Sequence, residues 1–151
     1  MCWECTLEEF KPKVADRPVT VYKVLDKFKN KVTGEVELRG PYYSDYPWFK
    51  GYKYYSIIEM RLTMRSSINS PVTVLTDIIG TRGLHSFTKE PINNGYHLYI
   101  GNKCIPENQR IIKCEIPKDA TYAINKRGEV ISDTLVMIGV AKIVNGKLVY
   151  E

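Results

Sequence analysis

Short runs of alternating apolar and polar residues, punctuated by Gly, Pro and Asn, dominate this chain. Residues 18–26, Pro-Val-Thr-Val-Tyr-Lys-Val-Leu-Asp, are rich in β-branched side chains and alternate, which predicts a first strand. Thr33-Gly34 marks a turn before a second short strand over 35–39. Tyr52 to Met64 also reads as a strand. Leu84 to Phe87 follows a glycine and reads as a short strand, with Leu84 and Ser86 on one face and His85 and Phe87 on the other. Arg110 to Ile116 alternates and stops at Pro117. Residues 122–124 and 129–132 flank the turn Asn125-Lys126-Arg127-Gly128. Residues 134–143 and 147–150 flank Val144-Asn145-Gly146, and an Asn-Gly between alternating runs is a strong hairpin signal.

Helical signals are fewer. Thr6 as a cap, with Glu8 and Glu9 in the first turn, predicts a short helix over 6–12. Residues 71–79 stay open: their β-branched content favours a strand, whereas Ser70 before Pro71 is a good helix start. Residues 88–103 are poorly patterned, with a break at Asn93-Asn94-Gly95. Together these readings predict an α+β fold, a strand-rich and mainly antiparallel sheet of seven to nine strands with one to three short helices. No repeat, linker or low-complexity tract interrupts the chain, so 1–151 reads as a single domain with 1–15 as a loosely attached N-terminal arm.

The 151 residues, 44% of them apolar and 26% charged, suit a globular domain with its own core rather than a disordered chain. No apolar run approaches the roughly 20 residues of a membrane-spanning helix. The start, Met1 to Glu9, lacks a basic stretch and an apolar stretch, so no signal peptide and a cytoplasmic location are expected. Four cysteines without an export signal are expected as free thiols. Cys2-x-x-Cys5 lacks a second close pair, so no metal is expected. The net charge of +5 fits a modest anionic ligand better than a long nucleic-acid duplex, and fits ordinary solubilising charge equally well.

Known phosphate-binding and nucleophile motifs are missing from the sequence. Three segments carry possible chemistry. Residues 42–55 hold Tyr42, Tyr43, Tyr46, Trp48, Phe49, Tyr52, Tyr54 and Tyr55, with Arg39, Lys50, Lys53, Arg61 and Arg65 within or beside them. Rings can stack on bases and cations can hold phosphates. The same rings can equally be core or an anchor surface for a protein partner. His85, on its short strand, can serve a ribose hydroxyl or a phosphate, or be an ordinary half-buried histidine. Glu129, at the start of a strand after a turn, can project into a cleft and stabilise a developing oxocarbenium ion, or be a solvated turn residue.

The order of these motifs resembles the ADP-ribosyltransferase-like fold, in its poly-ADP-ribose-polymerase branch. Val21-Tyr22-Lys23-Val24-Leu25 looks like the family's early ribose-holding strand. Gly83-Leu84-His85-Ser86-Phe87-Thr88 is similar to its Gly-aromatic-Tyr-aromatic strand, and Ile111 to Pro117 to its valine-rich strand. Gly128-Glu129-Val130-Ile131-Ser132-Asp133 resembles the strand carrying its catalytic glutamate. The resemblance implies NAD as a substrate, Glu129 as the catalytic residue, and Tyr22, Lys23, Arg39, Tyr43, Trp48, Tyr52, Arg61, His85 and Ser86 around the ligand. The general pattern also resembles small uncharacterised domains common in phages and gut bacteria. Three functions are therefore expected to compete: an NAD- or ADP-ribose-directed enzyme, a non-catalytic nucleotide-sequestering protein of the phage anti-defence type, and a protein-interaction domain working through 42–55.

Overall fold

The structure, a computed structural model, describes residues 3–41, 46–67 and 70–151. It is all-β: sixteen strands make up 59% of it, with no helix among the described residues. The largest sheet has ten strands. Its main path runs β16 (Lys147–Tyr150), β15 (Thr134–Val144), β12 (Gln109–Ile116), β3 (Val19–Lys29), β8 (Leu84–Phe87), β14 (Glu129–Ser132), β13 (Thr121–Ile124) and β2 (Lys13–Val14). Off this path, β4 (Val36–Arg39) pairs with β3 and β5 (Lys53–Tyr55) with β15. A second sheet places β7 (Ser70–Arg82) between β1 (Trp3–Thr6) and β6 (Glu59–Ser67). A third is the small ribbon of β9 (Ile92–Asn93), β10 (Leu98–Ile100) and β11 (Lys103–Cys104).

The α+β expectation is thus corrected, and the reasons are local. Thr6 does cap a turn: Glu9 N–H donates to the Thr6 carbonyl at 3.1 Å and to its Oγ1 at 3.3 Å, and the hydroxyl donates to the Glu9 carboxylate at 3.0 Å. The turn does not propagate, because Pro12 has no N–H for a second turn and Phe10 folds back edge-on to Trp3. Residues 71–79 are strand, paired with β6 and, at Asp77 to Ile79, with β1 on the other side as well. Tyr52 to Met64 is two strands, broken at 56–58. The poorly patterned 88–103 contains three strands of two or three residues, too short to show a period.

Alternation explains the core. Along β3, Val21 and Leu25 face the main cluster with Ile112, Cys114, Ile116, Val130, Leu135 and Trp48, while Tyr22 joins Ile100, Ile111 and Ala141 on the other face. Strands β3 and β12 are therefore buried on both sides. A separate cluster of Trp3, Cys5, Ile78, Ala123 and Ile131 joins the second sheet to the first. In the N-terminal arm Trp3, Cys5 and Ala15 are buried, while Thr6 to Glu8 and Lys11 to Val14 are exposed. Trp3 is 1% exposed, its indole N–H donates to the Glu129 carbonyl at 2.9 Å, and β1 pairs with β7. No helix among the described residues is long and apolar enough to cross a membrane.

The junction of the two large sheets depends on two glycines. A Cβ at Gly80 would lie 2.6 Å from Ile131 Cδ1, and one at Gly83 would strike Ile131 Cγ1. Gly83 also has φ +146°, which L side chains rarely adopt. Gly83→Ala should therefore destabilise by about 1–3 kcal/mol or more, from overpacking and backbone strain together. Urea unfolding should show a lower midpoint at an unchanged slope.

Candidate functional site

Strands β3 and β8 are neighbours but share a single registered pair, Tyr22 with Phe87. Beyond it they diverge, and the edge of β8 opens onto a cleft of about 1,100 Å³. Its floor is formed by Lys23 and Leu84 to Phe87. One wall is Arg61 and Ile79–Thr81 from the second sheet, another is the turn Gly101-Asn102 with Lys103 from the ribbon, and Gly40, Tyr46 and Trp48 close a third side. Lys89, Gln109, Arg127 and Glu129 also line it.

Lys23 occupies a core-facing position of β3, in phase with Val21 and Leu25. Its ammonium donates to the His85 carbonyl at 2.8 Å, where a β3–β8 ladder bond would otherwise fall, and lies 5.5 Å from the centre of the Trp48 ring. No carboxylate pairs with it among the described residues. Burial pulls its pKa down from 10.5 to about 8, partly offset by the thiol of Cys114 nearby. Burial pushes that thiol up to about 12, against the pull of Lys23. His85 is also shifted down, first by burial and then by Lys23, so its ring is largely neutral at neutral pH. One ring nitrogen bonds the Gly83 carbonyl, while Nε2 is buried without a partner.

Among the described residues, five buried side-chain polar atoms lack a hydrogen-bond partner, and three line this cleft: His85 Nε2, Ser86 Oγ and Gln109 Oε1. Gln109 is oriented by its amide N–H, which donates to Asp26 at 2.9 Å. Buried polar groups are normally satisfied, and leaving one unmade costs about 1–3 kcal/mol. The three atoms are themselves closed to solvent, Ser86 on one face of β8 and His85 on the other, although their residues line the cleft. The lining is cationic: Lys23, Arg61, Lys89, Lys103 and Arg127 line the cleft against a single carboxylate, Glu129.

Glu129 is buried and held on three sides. Arg127 Nε lies 2.9 Å from its carboxylate, Asn125 Nδ2 donates to the same oxygen at 3.0 Å, and Asn125 Oδ1 accepts its backbone N–H at 3.0 Å. It shares a face with His85 by register, since Glu129 pairs with Phe87 and Ile131 with His85. Of the residues singled out in the sequence, Lys23, Trp48, Arg61, His85, Ser86 and Glu129 all line this cleft, Lys23 and Ser86 from one face of the large sheet and His85 and Glu129 from the other. Tyr22 does not line it: it is buried on the face of β3 opposite Lys23, against Tyr150. Tyr52 is exposed and packs on Phe49, and Arg39 is ion-paired with Glu37 at 2.7 Å away from the lining. Tyr43 lies outside the described residues. Half of the described rings of the aromatic stretch pack on one another: Trp48 stacks on Tyr54 at 3.9 Å and Tyr54 on Tyr46 at 5.6 Å, while Phe49, Tyr52 and Tyr55 are exposed. Trp48 thus offers little free face, with Tyr54 stacked on it and Lys23 over its ring.

Sequence reading missed Gln109, Lys89 and the 101–103 turn. The Gly101-Asn102 pair, a turn former by residue type, was the available signal, and Gly101 takes φ +60° in the structure. The lowered Lys23 pKa has a stability consequence. Between about pH 8 and 10.5 the unfolded chain binds the proton more tightly than the folded one, so folding gains stability as pH rises through that window. Lys23→Met should remove this gain. Denaturant titrations of both proteins from pH 7.5 to 10.5 should show their stability difference moving in favour of the unsubstituted chain as pH rises. No protein-family model, curated protein or solved structure matches this chain.

Proposed function

We propose that the chain is a binding protein for a small anionic ligand of the nucleotide type, held in the cleft beside β8. The cationic lining, five Lys and Arg side chains against the one carboxylate of Glu129, carries this reading, and Lys23 among them has no carboxylate partner among the described residues. Lys23 and the cationic rim would hold phosphate oxygens. The cleft is large enough for a nucleotide. Binding is favoured over turnover because the Glu129 carboxylate already serves Arg127 and Asn125.

NAD and ADP-ribose belong among the ligands to be tested. The motifs that resemble ADP-ribosyltransferases lie on β3, β8, β12 and β14, which are contiguous in the large sheet, and Glu129 shares the cleft with His85. The proposal sets the protein in a reducing cytoplasm, in keeping with free thiols at Cys5, Cys104 and Cys114. A protein partner is the second reading, favoured by one observation: Phe49, Tyr52, Tyr55 and Ile57 stand 48–70% exposed.

Thermal unfolding against NAD, ADP-ribose, and mono-, cyclic and dinucleotides is the test. A ligand at a hundred times its Kd should add about 2.7 kcal/mol, or roughly 5–10 °C for a chain of this size. Lys23→Met should weaken that binding roughly ten- to a hundredfold, the loss of one charge-assisted hydrogen bond. The bound nucleotide should be recovered unchanged. Conversion of NAD that disappears in Glu129→Gln would replace the binding reading with the enzymatic one, and no shift with any nucleotide would favour the protein partner.

A further inference from the structure

We propose that Lys23 is a covalent capture site for small phosphorylated aldehydes, which it binds as an imine through Nζ. The inference shares the cationic cleft with the reading above but rests on the amine itself. Lysines at protein surfaces are usually solvated or ion-paired, and giving up a proton costs them that stabilisation. Lys23 has neither full solvation nor a carboxylate among the described residues. Its described contacts are a backbone carbonyl, at 2.8 Å, and the Trp48 ring. A neutral amine keeps the first of these, because it still carries N–H. The lowered pKa agrees: at about 8, roughly a tenth of the amine is unprotonated at pH 7, against well under a thousandth for a lysine of ordinary pKa. Lysine desolvated beside apolar groups is a recognised route to an activated nucleophile.

The surroundings select the electrophile. Arg61, Lys89, Lys103 and Arg127 line the same cleft and favour an anionic group on the aldehyde. The Lys89 ammonium lies beside the Gly101 turn, 3.7 Å from where a Cβ there would stand. The reaction needs no oxidant or reductant. The Nζ lone pair adds to the carbonyl carbon as the C=O π bond opens, giving a carbinolamine. The C–O bond then breaks and C=N forms, so that the carbonyl oxygen leaves with the two amine protons as water.

Pyridoxal 5′-phosphate is a suitable probe, with borohydride as the reductant that fixes the imine. Incubation of the full chain at substoichiometric probe, reduction and peptide mapping should place the adduct on Lys23 at ten times or more its level on the exposed Lys11 and Lys118. Labelling should rise with a midpoint near pH 8. Pyridoxal without the phosphate should label Lys23 at least tenfold less, and inorganic pyrophosphate should compete. Lys23→Arg should lose the adduct. Should that variant fail to fold, the ratio to Lys11 and Lys118 in the unsubstituted chain decides alone. An adduct spread evenly over the lysines, or equal labelling by pyridoxal, would overturn the proposal. Nucleotide binding without a Lys23 adduct sinks the imine alone, whereas an adduct without any nucleotide shift sinks the nucleotide reading alone.

Discussion

Strands β3 and β8 sit side by side in the large sheet and yet pair at one position, and the architecture of the site follows from that incomplete ladder. A buried strand edge leaves carbonyls and N–H groups that must find partners. Here the His85 carbonyl finds the Lys23 ammonium at 2.8 Å instead of a backbone N–H. The side chain that repairs the ladder is a cation, so the repair brings charge into a core-facing position. Burial then lowers the affinity of Lys23 for its proton, and burial first and the Lys23 charge second lower that of His85. One break in strand pairing thus produces the cleft, its charge and its acid–base character.

The elements around the break keep it from closing. Glu129 ties two segments together: its carbonyl receives the Trp3 indole, its amide and carboxylate bond Asn125, and Arg127 pairs with its carboxylate. The N-terminal strand and the β13–β14 hairpin are thereby fixed to one another. Gly80 and Gly83 let Ile131 pack against the β7–β8 corner with no side chain between. On the other side Trp48, stacked on Tyr54, gives the Lys23 ammonium a ring to lie over. The aromatic-rich stretch serves the site as a support wall more than as a stacking platform, and it leaves Tyr52 and Tyr55 facing outward.

Hairpins were the most legible part of this chain in sequence. The two C-terminal ones, at Asn125–Gly128 and Asn145-Gly146, have turn residues with positive φ at Gly128, Asn145 and Gly146, and such conformations are encoded by residue type alone. The short strand 84–87, with its alternating burial, was likewise readable because period-two patterning is local. The expected helix at 6–12 failed for a reason that is only half local. Thr6 makes its cap, but the packing of Phe10 on Trp3 redirects the chain. The ribbon strands at 92–104 were invisible because two residues cannot display a period.

The sequence by itself determined the strand and turn pattern, the excess of positive charge, and the presence of a lysine in phase with Val21 and Leu25 along β3. Each of these is a property of residue type and spacing. Only the tertiary structure decided that His85, Ser86, Gln109, Arg61 and Glu129 share a cleft with that lysine while Tyr22, Tyr52 and Arg39 do not. Those residues come from β6, β8, β12 and β14, up to 106 positions from Lys23, and their meeting depends on strand order. Strand order is set by long-range pairing and by which faces must be buried, and neither is written in any single stretch of the chain.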